Sequence, residues 1–392
     1  MRRFVGKLPG FERNVLAASI AVFLVFLGEE LWKKFLPRYL EALGASAVII
    51  GLFGTVRDFL DAIYQYPGGW LADHFGRRRA FFLFIALASV GYFIYLISPS
   101  WPWVFVGLAF SMSWASMASP GIFAIIGDSL PKEQRAMGFT VQSFLKRIPM
   151  ALAPVLGGLL IAQMGVLTGI RTGLAVTLAL ATLTVFIIRT VNIAVIPSPR
   201  INIRGVWQSF HHALKRLLIS DIIIRICEGL SDLFIILYVT HVLGLNAAQY
   251  GLLVAIQMTT SMVVYIPAGR IADRIGRKPF VIATFTCFAL FPLFMVLASS
   301  FVSLVGAFIV GGLREIGEPS RKAMIVDFAD PGIRARTVGL YYLVRSLSIT
   351  PAAAIGGLLW NFSPAAPFVI ASIIGMAGVI VFSVTVEERY AA

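Results

Sequence analysis

The chain has 392 residues, 58% of them hydrophobic and 13% charged, with a mean hydropathy of +0.86. Soluble domains are about half apolar and about a quarter charged, so this composition excludes most soluble enzymes, disordered chains and fibres. The formal net charge of +14 does not signal nucleic acid, because the basic residues form short clusters in loops that alternate with nearly uncharged ones, the positive-inside arrangement of a polytopic membrane protein.

In chain order, apolar stretches of helical length occupy residues 15–36, 46–69, 80–98, 103–127, 138–163 and 171–189. A second set occupies 220–243, 247–269, 280–299, 302–326, 337–361 and 365–385. At roughly 20 apolar residues per crossing, this predicts an all-α polytopic membrane protein with twelve transmembrane helices. The expected division is an N-terminal six-helix bundle over 1–190, a cytoplasmic linker over 191–219 and a C-terminal six-helix bundle over 220–392. The basic start (Arg2, Arg3, Lys7, Arg13) predicts a cytoplasmic N-terminus. An even number of crossings returns the C-terminus to that side of the cytoplasmic (inner) membrane. The first segment lacks a small-residue cleavage site, carries Glu29 and Glu30 and leads into further spans, so it reads as a retained helix and not a signal peptide. In the linker, Trp207, Phe210, Leu214 and Leu217 recur at helical spacing opposite Arg204, His211 and Lys215. That pattern suits an amphipathic helix lying on the cytoplasmic lipid surface. Cys227 and Cys287 sit in apolar runs without CxxC or CxH spacing and read as packing residues, with no disulfide or metal implied.

The two halves repeat one another at an offset close to 200. Gly51-Leu52, Pro67 and the run Gly69 to Arg79 (GWLADHFGRRR) match Gly251-Leu252, Pro267 and the run Gly269 to Lys278 (GRIADRIGRK). Later, Pro120, Asp128, Arg135 and Gly157-Gly158-Leu159-Leu160 match Pro319, Asp327, Arg334 and Gly356-Gly357-Leu358-Leu359. Six-helix halves related by an axis along the membrane normal occur in secondary transporters. In each loop the glycines Gly69/Gly76 and Gly269/Gly276 are expected to allow the sharp turn, and the arginines to stay in the anionic interface.

The G-x-L-A-D-x-x-G-R-R pattern between the second and third helices, with its second copy between the eighth and ninth, resembles the signature of the major facilitator superfamily. The resemblance covers essentially the whole chain. Ala153-Pro154-Val155-Leu156-Gly157-Gly158 also resembles the tail of the drug:proton antiporter motif, although Pro149 and Ala153 stand where that motif has glycines. The resemblance implies two pseudo-symmetric six-helix bundles and a conformational latch in the loops. In that architecture Asp73 meets the start of the eleventh helix and Asp273 the start of the fifth, at helix N-termini whose unpaired amides favour a carboxylate. Arg135 and Arg334, just before those helices, would add charge pairs, and Arg77 and Arg277 belong to the same latch.

Eight acidic and eight basic residues lie inside the expected spans: Glu29, Glu30, Asp58, Asp61, Glu228, Asp232, Glu315 and Glu318, with Arg57, Lys146, Arg147, Arg225, Arg314, Arg321, Lys322 and Arg345. Ionised groups avoid lipid at a cost of at least about 2.5–3.5 kcal/mol at mid-bilayer. Helices 3, 6, 9 and 12, which carry none away from their ends, are therefore expected to face lipid while the others surround a wet interior. Helical spacing predicts pairs Arg57–Asp61, Arg225–Glu228 and Arg314–Glu318. Lys33 and Lys34 are expected to snorkel outward and leave Glu29 and Glu30 hard to neutralise. Proton relays use intramembrane acids of this kind, so Glu29, Glu30, Asp58, Asp61, Glu228 and Asp232 are candidates for proton coupling or substrate binding. Arg57, Arg147, Arg225, Arg314, Glu318 and Arg345 are candidates for lining the cavity or pairing with those acids. Trp32, Tyr64, Trp114 and Tyr238, with Ser111, Ser113, Ser116 and Ser119, either line a cavity or serve packing.

No GxxxxGK[ST], HExxH, nucleophile elbow or Cys/His cluster occurs, so neither direct ATP drive nor hydrolytic or metal chemistry is expected, and no cofactor. The expected function is secondary active transport of a small polar or amphiphilic solute by alternating access. The expected partners are that solute, protons and the bilayer, with no nucleic acid; the expected unit is a monomer and the expected direction export. The alternatives are a proton-independent uniporter or exchanger of a charged metabolite, and a non-transporting membrane sensor or scaffold.

Overall fold

The computed structural model describes residues 13–118, 132–189, 207–208, 210–329 and 334–387. Among these the chain forms twelve helical runs and no strand. The first six are α1 (Arg13–Glu30, continued by Lys33–Phe35 and Leu36–Ala42), α2 (Ala47–Phe75), α3 (Arg77–Ile97), α4 (Trp101–Met112, ending in the π turn Ser113–Met117), α5 (Lys132–Met164) and α6 (Val166–Ile188). The second six are α7 (His212–Ser231, continued through short turns to Val242), α8 (Ala247–Ile275), α9 (Lys278–Leu297), α10 (Phe301–Leu313, then Glu318–Asp327), α11 (Arg334–Ile349, then Ala352–Phe362) and α12 (Ala366–Thr385).

Among the described residues, seven segments, in α3, α5, α6, α8, α9, α11 and α12, are long and apolar enough to cross a membrane by length and composition. The rest differ for a physical reason. α1, α7 and α10 break where their charges sit, at Glu29-Glu30, Asp232 and Arg314 to Gly317; α2 carries Arg57, Asp58 and Asp61; and α4 gives way to its π turn.

Packing divides the chain into two compact units, Met1–Gly44 with Leu60–Pro199 and Ala45–Phe59 with Arg200–Ala392. In the first unit α1 packs on α5 and α6, and α3 on α4 and α6. In the second α7 packs on α11 and α12, and α9 on α10 and α12. The same pairings recur because the same close approaches recur. A methyl at Gly157 would sit 1.8 Å from the Leu31 carbonyl oxygen, and one at Gly356 would sit 2.2 Å from that of Leu230. Both pairs connect positions 199 apart in the repeat.

The second unit includes the start of α2. There Gly51 lies against the Ala353 carbonyl, and Thr55 Oγ1 accepts a hydrogen bond from the Ala354 amide at 3.1 Å. That amide is in the first turn after the Thr350–Pro351 break, where a helix start leaves donors without intrahelical partners.

Residues 212–219, expected in the linker, are instead the first two turns of α7. Phe210, Leu214 and Leu217 are buried in one cluster with Val281, Phe285 and Phe382, whereas Trp207 is exposed, so three of the stripe's four members pack in the protein core. Residues 190–206, which include Arg204, lie outside the described residues.

Candidate functional site

In the first unit the buried charge is acidic. Glu29 and Glu30, at the break in α1, are 4% and 2% exposed. Glu29 Oε1 accepts a short hydrogen bond from the Tyr92 hydroxyl on α3. Lys33 lies 3.9 Å from each carboxylate, so it turns back toward them. Even so, Oε2 of both glutamates is buried without a hydrogen-bond partner. Lys146 on α5 rests over the Phe26 ring at 5.1 Å. Trp32 closes this region: its indole N–H donates to Thr177 Oγ1 at 3.0 Å, and Tyr92 and Tyr95 meet it edge-on.

Further along the same unit, Asp61 accepts from Ser116 Oγ at 2.6 Å, while Ser111 and Ser113 are buried. Tyr64 donates to the Ala109 carbonyl at 3.1 Å, Trp114 packs on Phe81, and in the second unit Tyr238 packs on Phe368. Trp32, Trp114 and Tyr238 therefore make ring-packing contacts, and Tyr64 is held by its hydrogen bond. Arg147 has contacts of its own, and Ser119 lies outside the described residues.

In the second unit the buried charges form one network around α7, α10 and α11. Asp221, fully buried, receives Arg321 Nη1 at 2.5 Å, the Tyr341 hydroxyl at 3.0 Å and Arg345 Nη1 at 3.4 Å, all on Oδ2. Glu318 takes Arg321 through both nitrogens of the fork, at 2.7 and 3.0 Å, with Arg225 and Lys322 each at 3.5 Å. Glu228 takes Arg225 at 2.7 Å and Arg314 at 3.5 Å.

The expected Arg225–Glu228 pair is therefore present. The expected Arg314–Glu318 pair is not: Arg314 faces Glu228. The reason is the break between Leu313 and Glu318, which removes the one-turn geometry that the spacing assumed. Arg57 in the start of α2 pairs with its neighbour Asp58 at 2.9 Å, and Asp232 has a partner as well.

Sequence reasoning missed the centre of this network. Asp221 stands at the edge of the expected span and so falls outside the set of expected buried charges, although it precedes Arg225 by one helical turn. Arg321 belongs to that set but not to the candidate site residues.

The loop motifs divide. Gly76 (φ 83°) and Gly276 (φ 104°) make the turns in the left-handed region that glycine favours. Gly69 and Gly269 do not: they lie inside α2 and α8, which run on to Phe75 and Ile275. A methyl at Gly269 would touch Pro319 on α10 at 3.7 Å, an ordinary contact. Arg277 pairs with Asp327 at the end of α10, a partner already visible as the match of Asp128 and Asp327 in the repeat. The side chains of Asp73, Arg77, Arg135, Asp273 and Arg334 lie outside the described residues.

Twelve helical runs in two compact units, with helix pairings that recur between them and buried charges in each, are the scaffold of a membrane transporter. The family profile of the Major Facilitator Superfamily matches residues 18–227 and 217–392, and the chain belongs to that family. It is 24% identical over 375 residues to the uncharacterised MFS-type transporter MJ1317 of Methanocaldococcus jannaschii, covering 93% of each chain. It is 29% identical over 147 residues to the quinolone resistance protein NorA of Staphylococcus aureus, a match spanning 38% of each chain. The fold superposes on the nucleoside transporter NupG with a TM-score of 0.75 at 13% identity, over 94% of this chain and 97% of that one.

Proposed function

We propose that this membrane transporter is a proton-coupled exporter of a small polar or amphiphilic solute, working by alternating access, with Glu30 as the proton-carrying group and Glu29 beside it. The observation that carries this reading is the state of Glu30: 2% exposed, 3.9 Å from Lys33, and with Oε2 unpartnered. The other candidate acids are committed elsewhere, Asp58 to Arg57, Asp61 to Ser116 and Glu228 to Arg225. A proton can therefore join or leave Glu30 without first breaking a tight ion pair. Intramembrane acids in such settings serve as proton relays. The partial similarity to a quinolone resistance protein supports export. In the proposed cycle an external proton neutralises the carboxylate, eases its passage through the low-dielectric path and leaves on the inside.

The test uses proteoliposomes loaded with a pH-sensitive dye and challenged with a quinolone and a panel of small polar solutes. Solute movement should carry protons, and Glu30→Gln should keep solute counterflow while losing accumulation driven by a pH gradient. Transport that ignores an imposed pH gradient would overturn proton coupling and favour a uniporter or exchanger. Absence of counterflow for every solute, with folded protein, would favour a sensor or scaffold.

A further inference from the structure

The network in the second unit does not balance. Among the described residues, within 4 Å links, three carboxylates (Asp221, Glu228, Glu318) meet four guanidiniums (Arg225, Arg314, Arg321, Arg345) and the half-exposed Lys322. Arginine stays protonated in proteins, so the surplus is fixed and cannot be relieved by titration.

The surplus is also localised. Arg321 is saturated, 1% exposed, with Asp221 on one side and both oxygens of Glu318 on the other. Arg314 donates Nε to the Gly311 carbonyl at 2.9 Å and lies over Phe288 and Phe291. Arg345 is served worst. Its one hydrogen bond is 3.4 Å long and goes to an Asp221 oxygen that already accepts two others. Its Nε is buried without a partner, and so is that of Arg225, which stands 3.8 Å from the other oxygen of Asp221. The two side chains are 17% and 20% exposed, so neither is sealed in. The Arg345 guanidinium lies over the Tyr342 ring at 4.6 Å, which holds the planar fork in one orientation.

A buried cation with open donors is costly unless an anion completes it, and a planar guanidinium pairs best with a two-oxygen acceptor. We propose that Arg345, backed by Arg225, is an oxyanion-binding site, and that the transported solute carries a carboxylate or phosphate group that docks there. This rests on the transport reading above and names the chemical class of its substrate. A lipid headgroup phosphate offers the same chemistry, so the test must separate the two sources.

The full-length protein, purified in neutral detergent, is titrated with benzoate, phenyl phosphate and the neutral isostere benzamide at constant ionic strength in chloride. Thermal unfolding and tryptophan fluorescence are read. At least one of the two anions should give a saturable shift, and benzamide none. Arg345→Gln should abolish the shift. Arg345→Lys, which keeps the charge and protects folding but loses the fork, should weaken apparent affinity about tenfold, as expected for one charge-assisted hydrogen bond. Arg225→Lys should weaken it in the same direction.

Shifts that are equal in wild type and both Arg345 variants, or that track only total salt, would overturn the site. Stabilisation by phosphatidylglycerol nanodiscs over phosphatidylcholine ones that depends on Arg345, with no response to the soluble anions, would assign the site to lipid and overturn the substrate class. Binding is read independently of transport. Saturable Arg345-dependent binding without anion counterflow in proteoliposomes would sink the claim that the anion is transported. Gradient-driven transport of other solutes with no anion binding would sink this inference alone.

Discussion

The two units hold the same helix pairings but opposite charge balances, and one position accounts for much of the difference. Glu29 and Glu228 are 199 residues apart, as are Lys146 and Arg345, and Phe26 and Arg225. In the second unit Arg225, one turn before Glu228, pairs with it at 2.7 Å. In the first unit that place is held by Phe26, and Glu29 has Lys33 at 3.9 Å and the hydroxyl of Tyr92 instead of a guanidinium one turn before it. Lys146, at the position equivalent to Arg345, lies over the Phe26 ring. The duplicated scaffold thus carries the acid in both halves and the guanidinium one turn before it in only the second. The second unit has Arg321 and Asp221 where the first has Ile122 and Val22. A common backbone therefore supports an under-neutralised acid site in one half and an over-neutralised basic network in the other, and this division of labour underlies both proposals.

The largest effect is expected from breaking the centre of the network. Asp221→Asn removes the negative charge from the acceptor shared by Arg321, Arg345 and Tyr341 and leaves a fully buried guanidinium with one carboxylate fewer. Breaking a buried pair at one partner costs about 3–5 kcal/mol. Thermal unfolding of the purified variant should show a large drop in midpoint and folded yield. The equivalent position, Val22, carries no charge, so Val22→Ala should lose only packing. If Asp221→Asn unfolds no more readily than Val22→Ala, the network is not a stability element.

How much of this could be read from the sequence depends on what set each feature. The twelve runs follow from hydropathy, and the internal repeat matches Gly157 with Gly356 and Asp128 with Asp327 without saying what any of them touches. The positive-φ turns at Gly76 and Gly276 follow from the motif. Partner choice does not. Arg314 prefers Glu228 over Glu318 because a helix break intervenes, and no periodicity rule foresees a break between Leu313 and Glu318. Asp221 was passed over because it sits where a hydropathy window ends, although burial is decided by what α10 and α11 bring to it. The stripe Phe210, Leu214, Leu217 shows the same limit: amphipathic spacing says that one face is covered, and only tertiary packing says by what.

A second test asks whether the repeated close approaches are equally tight. Gly157→Ala and Gly356→Ala would each push a methyl into a carbonyl oxygen, at 1.8 and 2.2 Å. Overpacking costs typically about 1–3 kcal/mol, so both should lower thermal stability, Gly157→Ala the more. Gly306, where a methyl meets nothing within 4 Å, supplies the control, and Gly306→Ala should be neutral or slightly stabilising, since alanine favours the helix. Equal melting of all three variants would show that the two helix crossings relax freely and that the repeat is not held by backbone contact.

The smallest expected change in stability is the most informative about function. Phe26→Arg places in the first unit the residue that the second unit has at the equivalent position, one turn before Glu29. An exposed pair of this spacing adds only about 0.2–0.5 kcal/mol, and loss of the ring from beneath Lys146 works against it, so the melting temperature should move little. The acid site, however, would gain a permanently charged neighbour. If under-neutralisation is what makes Glu29 and Glu30 proton carriers, Phe26→Arg should slow pH-gradient-driven transport while solute counterflow continues, reproducing in part the Glu30→Gln phenotype from the side of the cation. The reverse exchange, Arg225→Phe, should leave gradient coupling intact and weaken anion binding instead. A Phe26→Arg protein that is folded and fully coupled would detach proton coupling from this acid site, and the difference between the two halves would then be one of packing alone.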